Sequence, residues 1–159
     1  MIRITDQYFW NFVFGSTFLI LVFLGTIILA TEARIRPEEL VTLDMVLLTL
    51  ATFRLTRLFV YDAATKFIRE QFWNARKTRG GVLLEKPKTG PRRTLADLFD
   101  CPWCFGVWAA AFITFWYLVS ETAFYFVLLL AIAGVATFIQ LTANAIGWQA
   151  EKLKRDAGG

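Results

Sequence analysis

The sequence predicts an all-α integral membrane protein, with four transmembrane helices and an amphipathic helix on the cytoplasmic side. Three observations lead there. Of 159 residues, 57% are hydrophobic and 16% aromatic, and the mean hydropathy is +0.51, whereas soluble domains sit near half apolar. The apolar residues gather into runs long enough to cross a bilayer. The charges are segregated: of 17 Lys and Arg, nine fall between Asp62 and Asp100. One membrane domain, residues 1–159, is the expected organisation.

Tyr8–Ala30 carries no charge and forms the first span (8–30). A cleaved secretory signal has a shorter apolar core, about 7–15 residues, behind a basic start. This run is longer and follows a nearly neutral start with Arg3 and Asp6, so a retained helix is expected. Tyr8, Phe9 and Trp10 suit an interfacial aromatic belt. Thr31–Leu40 is a polar connector, in which Pro37-Glu38-Glu39 reads as a helix start. The second span, 41–61, holds Asp44 near one end and Arg54 and Arg57 inside. Arg54 lies about 4–5 Å past the midpoint; Arg57 is nearer the end, within snorkelling reach of the headgroups.

From Asp62 to Arg76 a helical pattern continues, with Phe67, Ile68, Phe72 and Trp73 on one face and Lys66, Arg69, Glu70 and Arg76 largely off it. This predicts a helix lying along the membrane surface. Lys77–Arg93 is a loop punctuated by Gly80-Gly81, Pro87 and Gly90-Pro91, and Val82-Leu83-Leu84 suits a short strand. The whole segment 62–100 is expected to be cytoplasmic. Thr94-Leu-Ala-Asp97 starts a further helix. The third span is 101–119, Ser120-Glu121-Thr122 is a tight turn, and the fourth span is 123–143, its helix extending through Gln149. The tail from Glu151 is polar and basic. With four spans, 13 Lys and Arg fall on one side and 2 on the other. The positive-inside rule then puts both termini in the cytoplasm, in a bacterial cytoplasmic (inner) membrane.

There is no histidine, which removes His-based acid–base chemistry and the commonest zinc ligand. Two cysteines make no disulfide scaffold, and no catalytic residue is assigned. Both cysteines sit in Cys101-Pro-Trp-Cys104, at the expected cytoplasmic mouth of the third span, where thiols are kept reduced. Three readings stay open: a redox pair with a thiolate favoured by the helix N-terminus, half of a metal site, since a closed zinc site needs four ligands, or plain packing, with Trp103 and Trp108 as interface anchors. No cofactor is expected beyond a metal at Cys101 and Cys104. Charge inside a span is costly, about 2.5–3.5 kcal/mol per Arg. Arg54 and Arg57 are therefore expected to join Asp62, Asp97 and Asp100 in a structural polar knot, with Gln140 and Asn144 as further candidate partners. Snorkelling and a transport or lipid-headgroup site are the alternatives. Arg76, Lys77, Arg79, Lys86, Lys88, Arg92 and Arg93 are expected to lie on anionic lipid headgroups, at about 1 kcal/mol per basic residue. No aromatic side chain interleaves the charges between Lys77 and Arg93, which disfavours nucleic acid. Small residues in the last two spans, Gly106, Ala109, Ala110, Ala131 and Gly134 among them, suit close contact within the bundle, with a second copy or with a membrane-protein partner.

Three pieces together resemble a known family: Thr52-Phe-Arg54-Leu-Thr-Arg57-Leu58 with Asp62 four residues on, Phe67-Ile68-Arg69-Glu70, and Cys101-Pro-Trp-Cys104-Phe-Gly106-Val-Trp108. The chain is similar over Val41–Ala143 to the small bacterial and bacteriophage membrane proteins of domain of unknown function 1360, which include a sporulation protein of bacilli. The first span looks like an addition to the family core, and the loop 77–93 is longer than the family's. The resemblance implies a multi-span membrane protein and no particular activity. The expected function is a non-enzymatic membrane protein acting through assembly or partner binding. The alternatives are a thiol-redox or metal-binding membrane protein using Cys101 and Cys104, and a phage holin-like or channel-forming protein.

Overall fold

The computed structural model describes residues 6–78 and 81–157. Among them six α-helices run in order: α1 (Asp6–Glu32), α2 (Thr42–Val60), α3 (Lys66–Glu70), α4 (Pro91–Asp100), α5 (Pro102–Val119) and α6 (Ala123–Asp156). Strands β1 (Asn74–Thr78) and β2 (Gly81–Glu85) form one antiparallel hairpin between α3 and α4, with Asn74 opposite Glu85 and Arg76 opposite Leu83. Short 3-10 turns at Pro37–Glu39 and Ala63–Thr65 precede α2 and α3.

Three helices, α1, α5 and α6, are long and apolar enough to cross a membrane. The fourth long helix, α2, spans 19 residues and carries three charges, Asp44, Arg54 and Arg57. It packs against both α5 and α6. Leu48 and Ala51 of α2 pack with Ile113, Tyr117 and Leu118 of α5 and Val127 and Ala131 of α6 to make the core. The three charges of α2 thus sit on a helix flanked by protein on two sides, where charge within an apolar run costs least. The α2–α6 contact is the most extensive in the fold, and Gly134 is what lets it close. A Cβ at Gly134 would stand 2.6 Å from the Leu50 carbonyl oxygen. By contrast α1 has no buried residue. It leans on α5, with the Phe18 and Trp108 rings 4.8 Å apart and Phe115 within 3.5 Å of a Cβ built at Gly25.

One expectation is corrected. The amphipathic helix over 62–76 stops early: α3 ends at Glu70, and Gln71, Phe72 and Trp73 turn by i→i+3 backbone bonds into β1. Its carbonyls at Gln71 and Trp73 accept from the Arg92 guanidinium at 2.8 and 3.2 Å, which satisfies a broken helix end. Among the described residues the fold remains all-helical apart from this one hairpin. Residues 74–78 pair with 81–85, so the Val82-Leu83-Leu84 strand is present and has a partner that helical periodicity hid.

Candidate functional site

The charged residues singled out in the sequence gather around the C-terminal end of α2, but as two separate locks, not one knot. The first is local. Arg54 Nη1 donates to Asp62 Oδ2 at 2.7 Å, with the two side chains 21% and 27% exposed. Asp62 follows α2 directly, so the chain leaving the helix brings the counter-charge back to it. Arg69 then closes the end of α2. Its Nη1 donates to the Phe59 carbonyl at 2.8 Å, the Asp62 carbonyl at 3.0 Å and Thr65 Oγ1 at 3.3 Å. Buried Thr65 donates in turn to the Leu58 carbonyl. The last carbonyls of a helix have no partner inside it and carry partial negative charge, so a guanidinium there answers both demands. Arg57 does not join this lock. Its guanidinium carbon lies 5.0 Å from the Tyr61 ring centroid, a cation–π contact one turn on, and its Nε is buried without a hydrogen-bond partner among the described residues.

The second lock ties the hairpin to α4. Lys86 Nζ sits 2.9 Å from Asp97 Oδ1 and 2.5 Å from Asp100 Oδ2, and 5.3 Å from the Trp73 ring centroid. Arg93 Nε donates to Asp97 Oδ2 at 2.8 Å, one helical turn away. Partial burial disfavours the charged forms of both Lys86 and Asp97. The hydrogen bonds and charges of their partners outweigh it, so the Lys86 ammonium is held above its ordinary 10.5 and the Asp97 carboxyl below its ordinary 3.8. Asp97 and Asp100 thus serve Lys86 and Arg93, while Asp62 serves Arg54. The reason is reach: both carboxylates sit in the last turns of α4 beside the start of the loop from β2. Gln140 and Asn144 bond each other at 3.0 Å on the exposed face of α6.

Between the locks lies an aromatic cluster. Phe72 stacks on Phe99 at 5.4 Å, Phe99 meets Phe105 at 5.2 Å, and Phe59 meets Phe105 at 5.5 Å. It joins α2, the exit of α3, α4 and α5.

Of the basic residues expected on a lipid surface, Lys86, Arg92 and Arg93 are spent on internal bonds. Arg76 and Lys88 are exposed. Lys77 lies in β1, its side chain outside the described residues, and Arg79 lies outside them altogether. Cys101 caps the N-terminus of α5 and its Sγ accepts from the Cys104 N–H at 3.2 Å. The two sulfurs are bonded as a disulfide, which corrects the expectation of two reduced thiols. The spacing permits it: N-cap and third helical residue bring the Cα atoms to 5.2 Å, inside the usual disulfide range. No cluster of three or more His, Cys, Asp or Glu side chains with metal-holding geometry occurs among the described residues. Trp103 is 85% exposed at the start of α5, whereas Trp108 packs on Phe18.

Two polar contacts went unread in the sequence. Tyr117, 2% exposed, donates to Asp44 Oδ1 at 2.6 Å and joins α5 to the start of α2. Buried Thr94 of α4 accepts from Gln7 Nε2 at 2.9 Å and donates to Asn11 Oδ1 at 3.1 Å, which fastens α1. An acid near one end of a span and a lone Tyr near the matching end of another was the available signal for the first. Nothing in the local pattern flagged the second.

Comparison with known proteins adds lineage. The model of the family described as "Protein of unknown function (DUF1360)" matches residues 47–143. The chain is 36% identical over 104 residues to sporulation protein YjcA of Bacillus subtilis, covering 62% of this chain and 88% of that protein. It is 34% identical over 113 residues to UPF0713 protein YngL of the same organism, covering 69% and 85%. No solved structure matches. The matched region opens inside α2, holds both locks and the Cys101–Cys104 pair, and leaves α1 outside. The chain belongs to the DUF1360 family of proteins of unknown function.

Proposed function

We propose that this protein is a four-span protein of a bacterial cytoplasmic membrane, with both termini and the 62–100 segment in the cytoplasm, and that it acts without catalysis, by assembly with itself or a membrane partner. The observation that carries the membrane reading is the outward face of the bundle. Phe12, Leu19 and Phe23 of α1, Phe112 of α5, and Phe126, Leu129 and Phe138 of α6 are all 60% exposed or more. Water does not tolerate a contiguous apolar surface of that kind on a monomer, and acyl chains do. The length of α2, about 28 Å at 1.5 Å per residue, is near that of the hydrocarbon core, and its charges are paired or turned toward its ends, which supports it as the fourth span. Arg76 and Lys88, with Lys77 and Arg79 beside them in sequence, give the loop a basic outer rim suited to anionic headgroups.

The test uses intact expressing cells, with Cys101 and Cys104 replaced by Ser and one reporter cysteine added. An impermeant maleimide on intact cells should label Ser120→Cys and spare Lys88→Cys. The reverse pattern inverts the orientation, and recovery of the protein in the detergent-free supernatant ends the membrane reading. The purified protein in liposomes should leave an ion gradient intact, since leakage would favour the channel-forming alternative.

A second reading is favoured by the bonded Cys101–Cys104 pair. Disulfides facing the cytosol are usually transient and redox-active, and a helix N-terminus stabilises the thiolate released on reduction. On this reading the pair cycles with cellular thiols. Replacement of both by Ser with no change in phenotype removes it.

A further inference from the structure

The part of α6 beyond the fourth span has no counterpart to pack on. At 1.5 Å per residue the 34 residues of α6 run about 51 Å, against about 30 Å of hydrocarbon. On the four-span reading, on which this inference rests, the residues after Ala143 stand in the cytoplasm, where acyl chains do not reach them. All of them through Asp156 are exposed, with Ile146 at 62%, Trp148 at 72% and Leu153 at 68%.

Ile146, Ala150 and Leu153 among them continue a pattern that begins inside the span, with Ala145 and Trp148 off it. Ala136, Ile139, Ala143, Ile146, Ala150 and Leu153 recur at alternating steps of three and four, the a/d seam of a coiled coil. Ile132, 62% exposed, extends it one step back, so the seam spans three heptads and crosses from lipid into water. By helical rotation it is turned roughly 120° away from Val127, Ala131 and Gly134, which are buried in the bundle, and every seam residue is exposed. The seam is therefore free while the fold's own contacts are made. It carries no charge over its whole length, and Glu151, Lys152 and Arg155 fall at the outward b, c and f positions.

We propose that α6 pairs with α6 of a second copy of this chain along this seam, as a parallel coiled coil that begins in the membrane and continues into the cytoplasm. A second copy is the occupant that fits because membrane insertion already gives both copies the same direction and depth. Each layer then meets itself: Ala on Ala, where backbones come close, and Ile or Leu on its equal. In that register Gln149 at g faces Lys154 at e of the other copy, and no like charges are opposed. Confinement to the bilayer raises the effective concentration of the pair, which offsets the short length of the water-exposed part.

The experiment is disulfide scanning in isolated membranes with copper phenanthroline, in the Cys101→Ser, Cys104→Ser background. Ile146→Cys and Leu153→Cys should cross-link to dimer several-fold faster than the outward f-position variants Trp148→Cys and Arg155→Cys. Light scattering of the chain with its native cysteines, in detergent, should give an oligomer, and Ile146→Asp with Leu153→Asp should return it to monomer while remaining in the membrane fraction. A membrane-resident protein that cross-links equally at all four positions, links only to a different polypeptide, or is monomeric before the Asp substitutions overturns the seam and leaves the four-span reading standing. Protein absent from the membrane pellet overturns the four-span reading instead. Brominated-lipid quenching of Trp148 without cross-linking means that the segment lies on the bilayer, which also overturns the seam.

Discussion

Gly134→Ala is the smallest change that probes the bundle's centre. The new methyl carbon would sit 2.6 Å from the Leu50 carbonyl oxygen, 3.3 Å from its carbon and 3.5 Å from Arg54 Cβ. A C···O contact relaxes to about 3.3–3.6 Å, so α2 and α6 must part by roughly 0.7–1 Å. Because the obstacle is backbone, no rotamer change relieves it. A gap of that size forfeits about a quarter to a half of the contact energy of the atoms lining it, along the most extensive interface of the fold. Overpacking typically costs about 1–3 kcal/mol, and Ala recovers about 0.5–1 kcal/mol of helix propensity over Gly. The net loss should be about 1–2 kcal/mol. Gly147→Ala is the control: it has nothing within 4 Å of the added atom and should gain up to about 1 kcal/mol. Helicity followed by circular dichroism through an SDS titration in mixed micelles reads both. If Gly134→Ala unfolds at the same SDS fraction as Gly147→Ala, or later, the close approach of α2 and α6 is wrong.

Asp62→Asn should destabilise by about 1.5–3 kcal/mol, the value of a hydrogen bond to a charged group, and in a double-mutant cycle with Arg54→Ala the two losses should not add; additive losses in the same titration would mean that the pair is not formed. Tyr117→Phe removes the bond to Asp44 at the other end of the bundle and should cost about 1–3 kcal/mol by the same measure, with an unchanged unfolding midpoint as the contrary result. The hairpin lock should depend on pH at both extremes. Asp97 is depressed below 3.8 by Arg93 and Lys86 against the opposing effect of burial, so its contribution is complete above that value and is lost as pH falls through the lower, folded value. Lys86 is raised above 10.5, the Asp100 and Asp97 bonds outweighing burial, so its contribution is complete below 10.5 and is lost as pH rises through the higher, folded value. Hydrogen exchange of β1 and β2 amides should therefore show flat opening energies between these limits, and Asp97→Asn should abolish the acid limb. A wild-type acid limb that survives Asp97→Asn would assign the transition to another group.

The lengths of the long helices were legible because lipid-grade runs need no partner to be recognised: charge-free 8–30 became α1, and 123–143 with its extension became α6. The Arg54–Asp62 pairing was within reach as well, since both partners are eight residues apart on one continuous stretch. The hairpin was not. Phe67, Ile68, Phe72 and Trp73 satisfy a helical stripe, and only the Arg92 bonds to Gln71 and Trp73 and the pairing with 81–85 turn the chain into β1. By position along the sequence alone, Asp97 and Asp100 are as eligible as Asp62 to pair with Arg54 and Arg57. Lys86, drawn to them instead, sits on the loop after β2, whose path no periodicity encodes.

By itself, then, the order of residues determined which helices are long and apolar and which one carries charge, because those properties are local sums over consecutive side chains. Only the tertiary structure decided that α2 packs between α5 and α6, that Gly134 admits the Leu50 backbone, that Lys86 takes Asp97 and Asp100, and that Thr94 holds α1. Each of those is a choice among several chemically equivalent partners, and distance in space, which the sequence does not carry, makes the choice.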